Sequence, residues 1–314
     1  MNRSKVALGY AALTLTALLW AGFAIAMRAI GKSELTPIDA ALIRFAVPTL
    51  LLSWRAPALW RKLRQERWWV SAAIVFGAGL PHFLLSQLGG RMTGAAQVGV
   101  VVPGLVPLAL VLLSFMALGR SPRHGQGMAV LLMSLGVLVS FVAMPGSSSF
   151  GLGVMSAAAA LWACYTLAVE AGGFAPLDIA LLIAAPNAMV AAVLESTQSE
   201  FLSGAPLVQI ATAVGVLGLG SGILSGLMYA FGVRQVGAGM GSAVGALSPI
   251  IAAVAATYCF GESMMSFGWL GMAALAAGTV WFRLSTRQYA DPSRSRSIEP
   301  SSTSIRRISA KSST

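Results

Sequence analysis

Charge is what this sequence has least of. Only 10% of its 314 residues are Asp, Glu, Lys or Arg, while 57% are hydrophobic. A water-soluble domain carries about a quarter charged residues. Folded in water, this chain would lack the polar surface to cover its core, so a soluble globular fold is excluded. Acids are the scarcest group, ten carboxylates against 21 Lys and Arg. Glu34, Asp39, Glu66, Glu170, Asp178, Glu195, Glu200, Glu262, Asp291 and Glu299 fall in loops, at helix ends or in the tail, so no acidic proton relay is expected at mid-membrane. Cys164 and Cys259, the two cysteines, lie in apolar runs with no Cys or His at ligand spacing. They read as small buried hydrophobes, and neither a metal centre nor a redox pair is expected. No phosphate-cradling glycine loop is written either, and no cofactor is expected.

Long apolar runs are what the chain does have. A membrane-crossing helix needs about 20 mostly apolar residues. Ten runs qualify: Val6–Met27, Ile38–Trp54, Trp69–Leu88, Ala95–Leu118, Gly125–Met144, Gly151–Val169, Leu177–Leu194, Leu207–Gly232, Gly239–Phe260 and Phe267–Leu284. The first, with Arg3 and Lys5 ahead of it and Ala24-Ile25-Ala26 after it, has a rival reading as a signal peptide. It is long for one, and its Trp20 belongs to an internal repeat. With the N-terminus inside, 17 of the 21 Lys and Arg fall on the cytoplasmic side and three outside (Arg28, Lys32 and Arg91), Arg44 lying within a helix. Cytoplasmic loops collect positive charge, so both termini are expected in the cytoplasm. The net charge of +11 is thereby topological, and a nucleic-acid partner is not expected. Trp54, Trp60, Trp68 and Trp69 flank the basic Arg61–Arg67 loop as interfacial anchors. Ser285–Thr314, rich in Ser and Arg, reads as a disordered cytoplasmic tail.

The chain is written twice. An offset of 142 residues pairs Gly9 with Gly151, Trp20 with Trp162, Gly99 with Gly241, Pro107 with Pro249, Gly119 with Gly261 and Gly136 with Gly278. Five helices per copy is an odd number, so the second copy must enter the membrane upside down. The expected fold is an all-α polytopic membrane protein of ten transmembrane helices, arranged as two inverted five-helix repeats at 1–142 and 143–284, with the tail at 285–314. Such inverted repeats are common among secondary transporters.

Leu18–Ile30 (LLWAGFAIAMRAI), the Arg44-Phe45 pair and the run ending PLALVLLSFMALG at Pro107–Gly119 resemble EamA-type members of the drug/metabolite transporter superfamily. Ala160–Tyr165 (ALWACY) and Ser248–Glu262 (SPIIAAVAATYCFGE) carry the likeness into the second half. The resemblance implies a central cavity lined by helices 1, 3, 4, 6, 8 and 9, and export of amino acids or related metabolites from the cytoplasm across an inner membrane. It departs from the family pattern at Arg120, where a Glu usually closes the helix-4 motif; Glu262 keeps that Glu in the second copy.

The residues that point to chemistry are few. His82, about 18 Å into its helix from Val70 at 1.5 Å per residue, follows Pro81 in a weak point at Gly77–Pro81. Its imidazole either meets substrate, with titration near neutral pH and proton coupling, or bonds a neighbouring helix. Arg44, about 10 Å in from Pro37, is expected to snorkel outward in a structural role. Trp20 and Phe23, three apart, share a helix face. Trp162 and Tyr165 are their repeat partners, and the two aromatic pairs are expected to face one cavity from opposite sides. Gln97 joins these as a polar lining residue of helix 4. Pro107 and Pro249 are candidate hinges at mid-membrane. The small face of helix 8, from Gly218 to Gly226, suits close helix packing.

The function expected is a secondary transporter of amino acids or similar small amphipathic metabolites. A multidrug or nucleotide-sugar-type permease is the alternative. A membrane enzyme pairing His82 with Ser221 is the reading from another class, but Leu219 stands where a Gly-x-Ser-Gly setting needs its first Gly. The partners expected are a small-molecule substrate and the lipid bilayer.

Overall fold

The computed structural model describes residues 3–30, 32–93, 95–118, 124–143, 148–236, 248–261 and 265–287. Among them are helices and turns and no strand. The helices are α1 (Arg3–Ile30), α2 (Pro37–Leu52), α3 (Ala56–Leu63), α4 (Trp68–Gly77), α5 (Leu80–Met92), α6 (Ala95–Leu118), α7 (His124–Val142), α8 (Ser149–Ala171) and α9 (Pro176–Glu195). After them come α10 (Leu207–Ala213), a π-helical segment (Val214–Leu224), α11 (Ser225–Val236), α12 (Ser248–Phe260) and α13 (Ser266–Arg287). Among the described residues eight helical stretches are long and apolar enough to cross a membrane, and α12 and α13 add two shorter apolar helices. The protein is an all-α, multi-pass membrane protein.

Local chemistry explains several boundaries. Thr36 and Asp39 make a reciprocal cap at the start of α2: Asp39 N–H donates to Thr36 Oγ1 (3.2 Å) and Thr36 N–H to Asp39 Oδ2 (2.6 Å). Pro37 follows the cap, where its missing N–H costs nothing. The weak point at Gly77–Pro81 is a real interruption, with α4 ending at Gly77 and α5 beginning at Leu80. Asn187 of α9 stitches the break. Its Oδ1 accepts from Leu80 N–H (2.8 Å), and its Nδ2 donates to Val75 O (3.1 Å) and Ile183 O (2.7 Å). A Cβ at Gly79 would collide with Val75 O and Asn187 Nδ2, so the break requires glycine there. The span expected to end at Trp54 instead continues through a 3₁₀ turn into α3, burying Leu59. α13 runs to Arg287 and buries Ser285 against Gly125, so residues 285–287, expected in the tail, are helical. Residues 288–314 lie outside the described residues, as do 237–247, the first half of the span expected at Gly239–Phe260.

The helices pack in pairs that cross between the two halves of the chain: α7 on α13, α2 on α9, α1 on α11 and the π segment, and α4 and α5 on α8. α6 also contacts α8 and α12. Glycines mark the closest approaches. A methyl on Gly136 of α7 would sit 2.6 Å from Gly271 O and from Leu275 N; one on Gly278 of α13 would lie 3.0 Å from Ala129 O and Met133 N. A methyl on Gly9 of α1 would meet Gln235, and one on Gly151 of α8 would meet Thr93. The α2–α9 pair is antiparallel, because Asp39 at the start of α2 meets Gln198 just past α9, while Arg55 beyond α2 meets Asp178 at the start of α9. Close packing, the reading of the small helix-8 face, holds at the π segment: Gly218 lies against Val47, and Gly222 against Pro48 and Arg44 O, all on α2.

Candidate functional site

Two aromatic clusters meet at α5. On one side, His82 packs its ring on Trp162 of α8, centroids 5.0 Å apart, and Trp162 meets Tyr165 edge-on at 5.1 Å. His82 is 3% exposed, and its Nδ1 lies 3.0 Å from Ala158 O of α8. A carbonyl only accepts, so Nδ1 carries the proton, and Nε2 faces away as an acceptor in the neutral ring. The bond to a neighbouring helix is therefore present, and it leaves one nitrogen for a ligand. Gly77 lets α4 approach this stack, since a Cβ there would fall 2.7 Å from Tyr165 Cβ.

On the other side of the same turn, Phe83 meets Phe23 of α1 (6.3 Å) and Phe45 of α2 (6.1 Å, edge-on). All three rings face Arg44: its Cζ is 4.7 Å from the Phe23 centroid, 5.6 Å from Phe83 and 5.7 Å from Phe45. Arg44 Nη1 donates to Ser221 Oγ of the π segment at 2.6 Å. The outward snorkel expected for Arg44 is thus overturned. With cation–π partners around it and a hydroxyl at its tip, the guanidinium is tied inside the helix bundle and 9% exposed. Ser221 is consequently engaged with Arg44 rather than with His82, the pairing a serine-protease reading needs.

The structure brings His82, Trp162 and Tyr165 together, and puts Phe23 in the neighbouring Arg44 cluster. Trp20 stands apart, stacked on Tyr229 of α11 at 5.5 Å. Trp20 and Phe23 make no ring contact with each other, unlike their repeat partners Trp162 and Tyr165. Gln97 is buried on α6, 1% exposed. Pro107 lies inside α6, whose helix continues through it; Pro249 is the second residue of α12, and the residues before Ser248 are not described. The interruptions that are seen fall elsewhere, at Ala78–Gly79 and along Val214–Leu224. Sequence reasoning missed Phe45, Phe83, Asn187, Ser221 in this role, and Gln87, which is 1% exposed with both amide atoms lacking a protein partner. A polar residue inside an apolar run was the available signal for Asn187 and Gln87.

The described acids sit in loops or at helix ends, as expected, yet three of them are buried: Asp39 0%, Glu195 4% and Asp178 6% exposed. Asp178 pairs with Arg55 at 2.8 Å. Asp39 Oδ1 and Glu195 Oε2 share one donor, Gln198 Nε2, at 3.1 and 2.7 Å. Beyond α3, Glu66 takes Lys62 Nζ at 2.8 Å and Gly173 N–H at 3.0 Å, contacts that hold its carboxyl below the usual carboxylate range. An apolar recess of 260 Å³ between α3 and α9 is no rival site. Its Thr49 and Ser53 hydroxyls are returned to Phe45 O and Leu50 O. No group of three or more His, Cys, Asp or Glu able to hold a metal occurs among the described residues.

Eight membrane-length helices among the described residues define the class, a multi-pass membrane protein. Residues 7–142 match the EamA-like transporter family, part of the drug/metabolite transporter superfamily. This is a family of transporters rather than of enzymes. A crystal structure described only as that of a protein is similar across 93% of this chain and 100% of its own, with a TM-score of 0.60 at 19% identity. At that identity the likeness concerns fold alone. Among curated proteins none matches.

Proposed function

We propose that the protein is a secondary transporter that exports amino acids or similar small amphipathic metabolites from the cytoplasm by alternating access. The moving parts are two inverted five-helix halves, 1–142 and 143–284, in an inner membrane with both termini cytoplasmic. The observation that carries this reading is the His82–Trp162–Tyr165 stack, which joins α5 of the first half to α8 of the second. Substrate held there would be released as the halves rock. Aromatic faces suit an apolar substrate body, and His82 Nε2 and Tyr165 OH offer polar handles.

The inverted arrangement is supported by contacts that repeat with the offset of 142. Gly136 meets residues 271 and 275, and Gly278 meets 129 and 133; Gly9 meets 235, and Gly151 meets 93. Each contact is its partner's image with the halves exchanged, as a two-fold axis requires. The antiparallel course of α2 and α9 fits an axis lying in the membrane plane. The family match, ending at residue 142, supports the boundary between the halves.

The test is uptake into proteoliposomes from a mixed metabolite panel, with and without a pH gradient. Saturable flux is expected, and its absence for the whole panel would sink the reading. Trp162→Ala is expected to weaken apparent affinity about ten- to a hundredfold, the worth of one buried aromatic contact. Trp20→Ala, whose ring lies on Tyr229, separates a cavity wall from packing: it lowers affinity in the first case and only folded yield in the second. His82→Gln keeps hydrogen bonding without titration. If His82 couples transport to protons, gradient dependence disappears in that variant while downhill flux remains.

A further inference from the structure

We infer that Arg44 is a carboxylate-binding residue of the transport path, so that the substrates are small organic anions or zwitterions whose carboxylate seats on the Nε–Nη2 edge of the guanidinium. The inference rests on the permease reading and names its substrate class. Arginine keeps its charge even when buried, and a buried charge is normally paired. Arg44 is not. No carboxylate lies within ion-pair distance of it among the described residues, and those on the helices around it are engaged elsewhere. Asp39, five residues up α2, caps Thr36 and binds Gln198. Glu195 holds Gln198 and Leu202 N–H. Asp178 holds Arg55.

What surrounds Arg44 fixes the ion without neutralising it. Phe23, Phe45 and Phe83 face it with ring π-systems, which attract a cation but accept no in-plane N–H bond. Ser221 occupies Nη1 alone. Nε is buried with no acceptor, and among the described residues no hydrogen bond is made at Nη2 either. These two N–H groups point the same way at the spacing of the two oxygens of a carboxylate, the side-on bidentate fork. Gln87, one helical turn from Phe83 on the same face of α5, and Ser86, one turn from His82, are further buried side chains with unpartnered polar atoms. They supply the second contact a ligand's amine, hydroxyl or amide needs. The phenylalanine rings and the His82–Trp162 stack would hold its apolar body. The same arrangement rejects amphipathic cations, because a buried guanidinium repels them and no acid stands by to offset it.

The test measures binding of four matched probes to the purified full-length protein by intrinsic tryptophan fluorescence: 3-phenylpropanoate, L-phenylalanine, 3-phenylpropanamide and 3-phenylpropylamine. The two carboxylates should bind the wild-type protein at least about tenfold more tightly than the amide or the amine. Arg44→Gln should weaken the carboxylates about ten- to a hundredfold, the usual worth of a charged hydrogen-bond pair, and Arg44→Lys should restore part of the loss. Amide or amine binding as tight as carboxylate in the wild-type protein overturns the inference with no reliance on a variant that must fold. So does an unchanged carboxylate preference in folded Arg44→Gln. Failure of all four probes to bind overturns it as well, while saturable uptake of other metabolites from the mixed panel would leave the permease reading standing.

Discussion

α2 and α9 begin alike and diverge in chemistry. With an offset of 139, Pro37-Ile-Asp39-Ala-Ala-Leu aligns with Pro176-Leu-Asp178-Ile-Ala-Leu, so α2 and α9 each open with a proline and a buried aspartate. The helices lie antiparallel, and each aspartate therefore meets a residue just beyond the far end of the other helix. At one end Asp178 finds a cation, Arg55. At the other, Asp39 finds an amide, Gln198, shared with a second carboxylate, Glu195. In between, α2 carries Arg44 where α9 has Ile183, and α9 carries Asn187 where α2 has Pro48. The starts of α2 and α9 repeat, whereas Arg44 and Asn187 each stand in one of the two helices only. A binding centre built that way contacts its ligand asymmetrically even if the helices around it are related by symmetry.

Substitutions can break that comparison at graded strength. The largest effect is expected from Asn187→Leu. It leaves Leu80 N–H and Val75 C=O unpaired at the α4–α5 break, and an unsatisfied buried polar group costs about 1–3 kcal/mol each. A loss of about 2–5 kcal/mol in denaturant unfolding in detergent is expected; a smaller change than at Pro48→Ala would mean that the break is held by something else.

Next comes the same substitution at the two equivalent acids. Asp178→Asn should cost about 1–3 kcal/mol, between the worth of an exposed and a fully buried ion pair. Asp39→Asn removes one of two like charges converging on Gln198 and should change stability by about 0.5 kcal/mol or less, or raise it. Equal losses at both positions would erase the distinction between the two ends.

A smaller effect is predicted for Gln198→Ala, about 1 kcal/mol for a lost bridging donor. Combining it with Asp39→Asn should recover most of that loss, a non-additivity read directly by a double-mutant cycle. The smallest effect belongs to Glu66, at the end where Arg55 and Asp178 pair. Its carboxyl is depressed first by the Lys62 hydrogen bond and then by Gly173 N–H. A depressed carboxylate stabilises the fold at neutral pH, above its unfolded-state pKa, and that contribution is lost as pH falls through the folded-state value. Glu66→Gln should therefore differ slightly from wild type at pH 7 and converge with it in acid. A difference that grows on acidification would contradict this sign.

Much of the fold was legible because hydropathy and length set where helices fall. The Gly77–Pro81 weak point and the starts at Pro37 and Pro176 could be read from residues whose backbone chemistry leaves little choice. Side-chain contacts were legible only where the partners are close in sequence, as for Trp162 and Tyr165. Arg44 lies inside its helix, as its place in the sequence implies, but its side chain does not take the outward course expected. Seven residues of rise say nothing about a side chain's course, which is decided by Ser221 and Phe83 from distant segments. Trp20 and Phe23 likewise share a face by spacing, yet each is claimed by a different neighbour, Tyr229 and Phe83. The Pro-x-Asp correspondence was present in the sequence and was hidden by a three-residue shift from the main offset.

The reciprocal contacts of Gly136 and Gly278 carry a further consequence. A surface on which residue i meets j while j's counterpart meets i's is what two identical subunits form across a dyad. α7 and α13 approach backbone to backbone at these glycines in that manner. Expressed as separate polypeptides, 1–142 and 143–287 would be expected to reassemble as a heterodimer along this seam, and a single methyl group at either glycine would be enough to hold them apart.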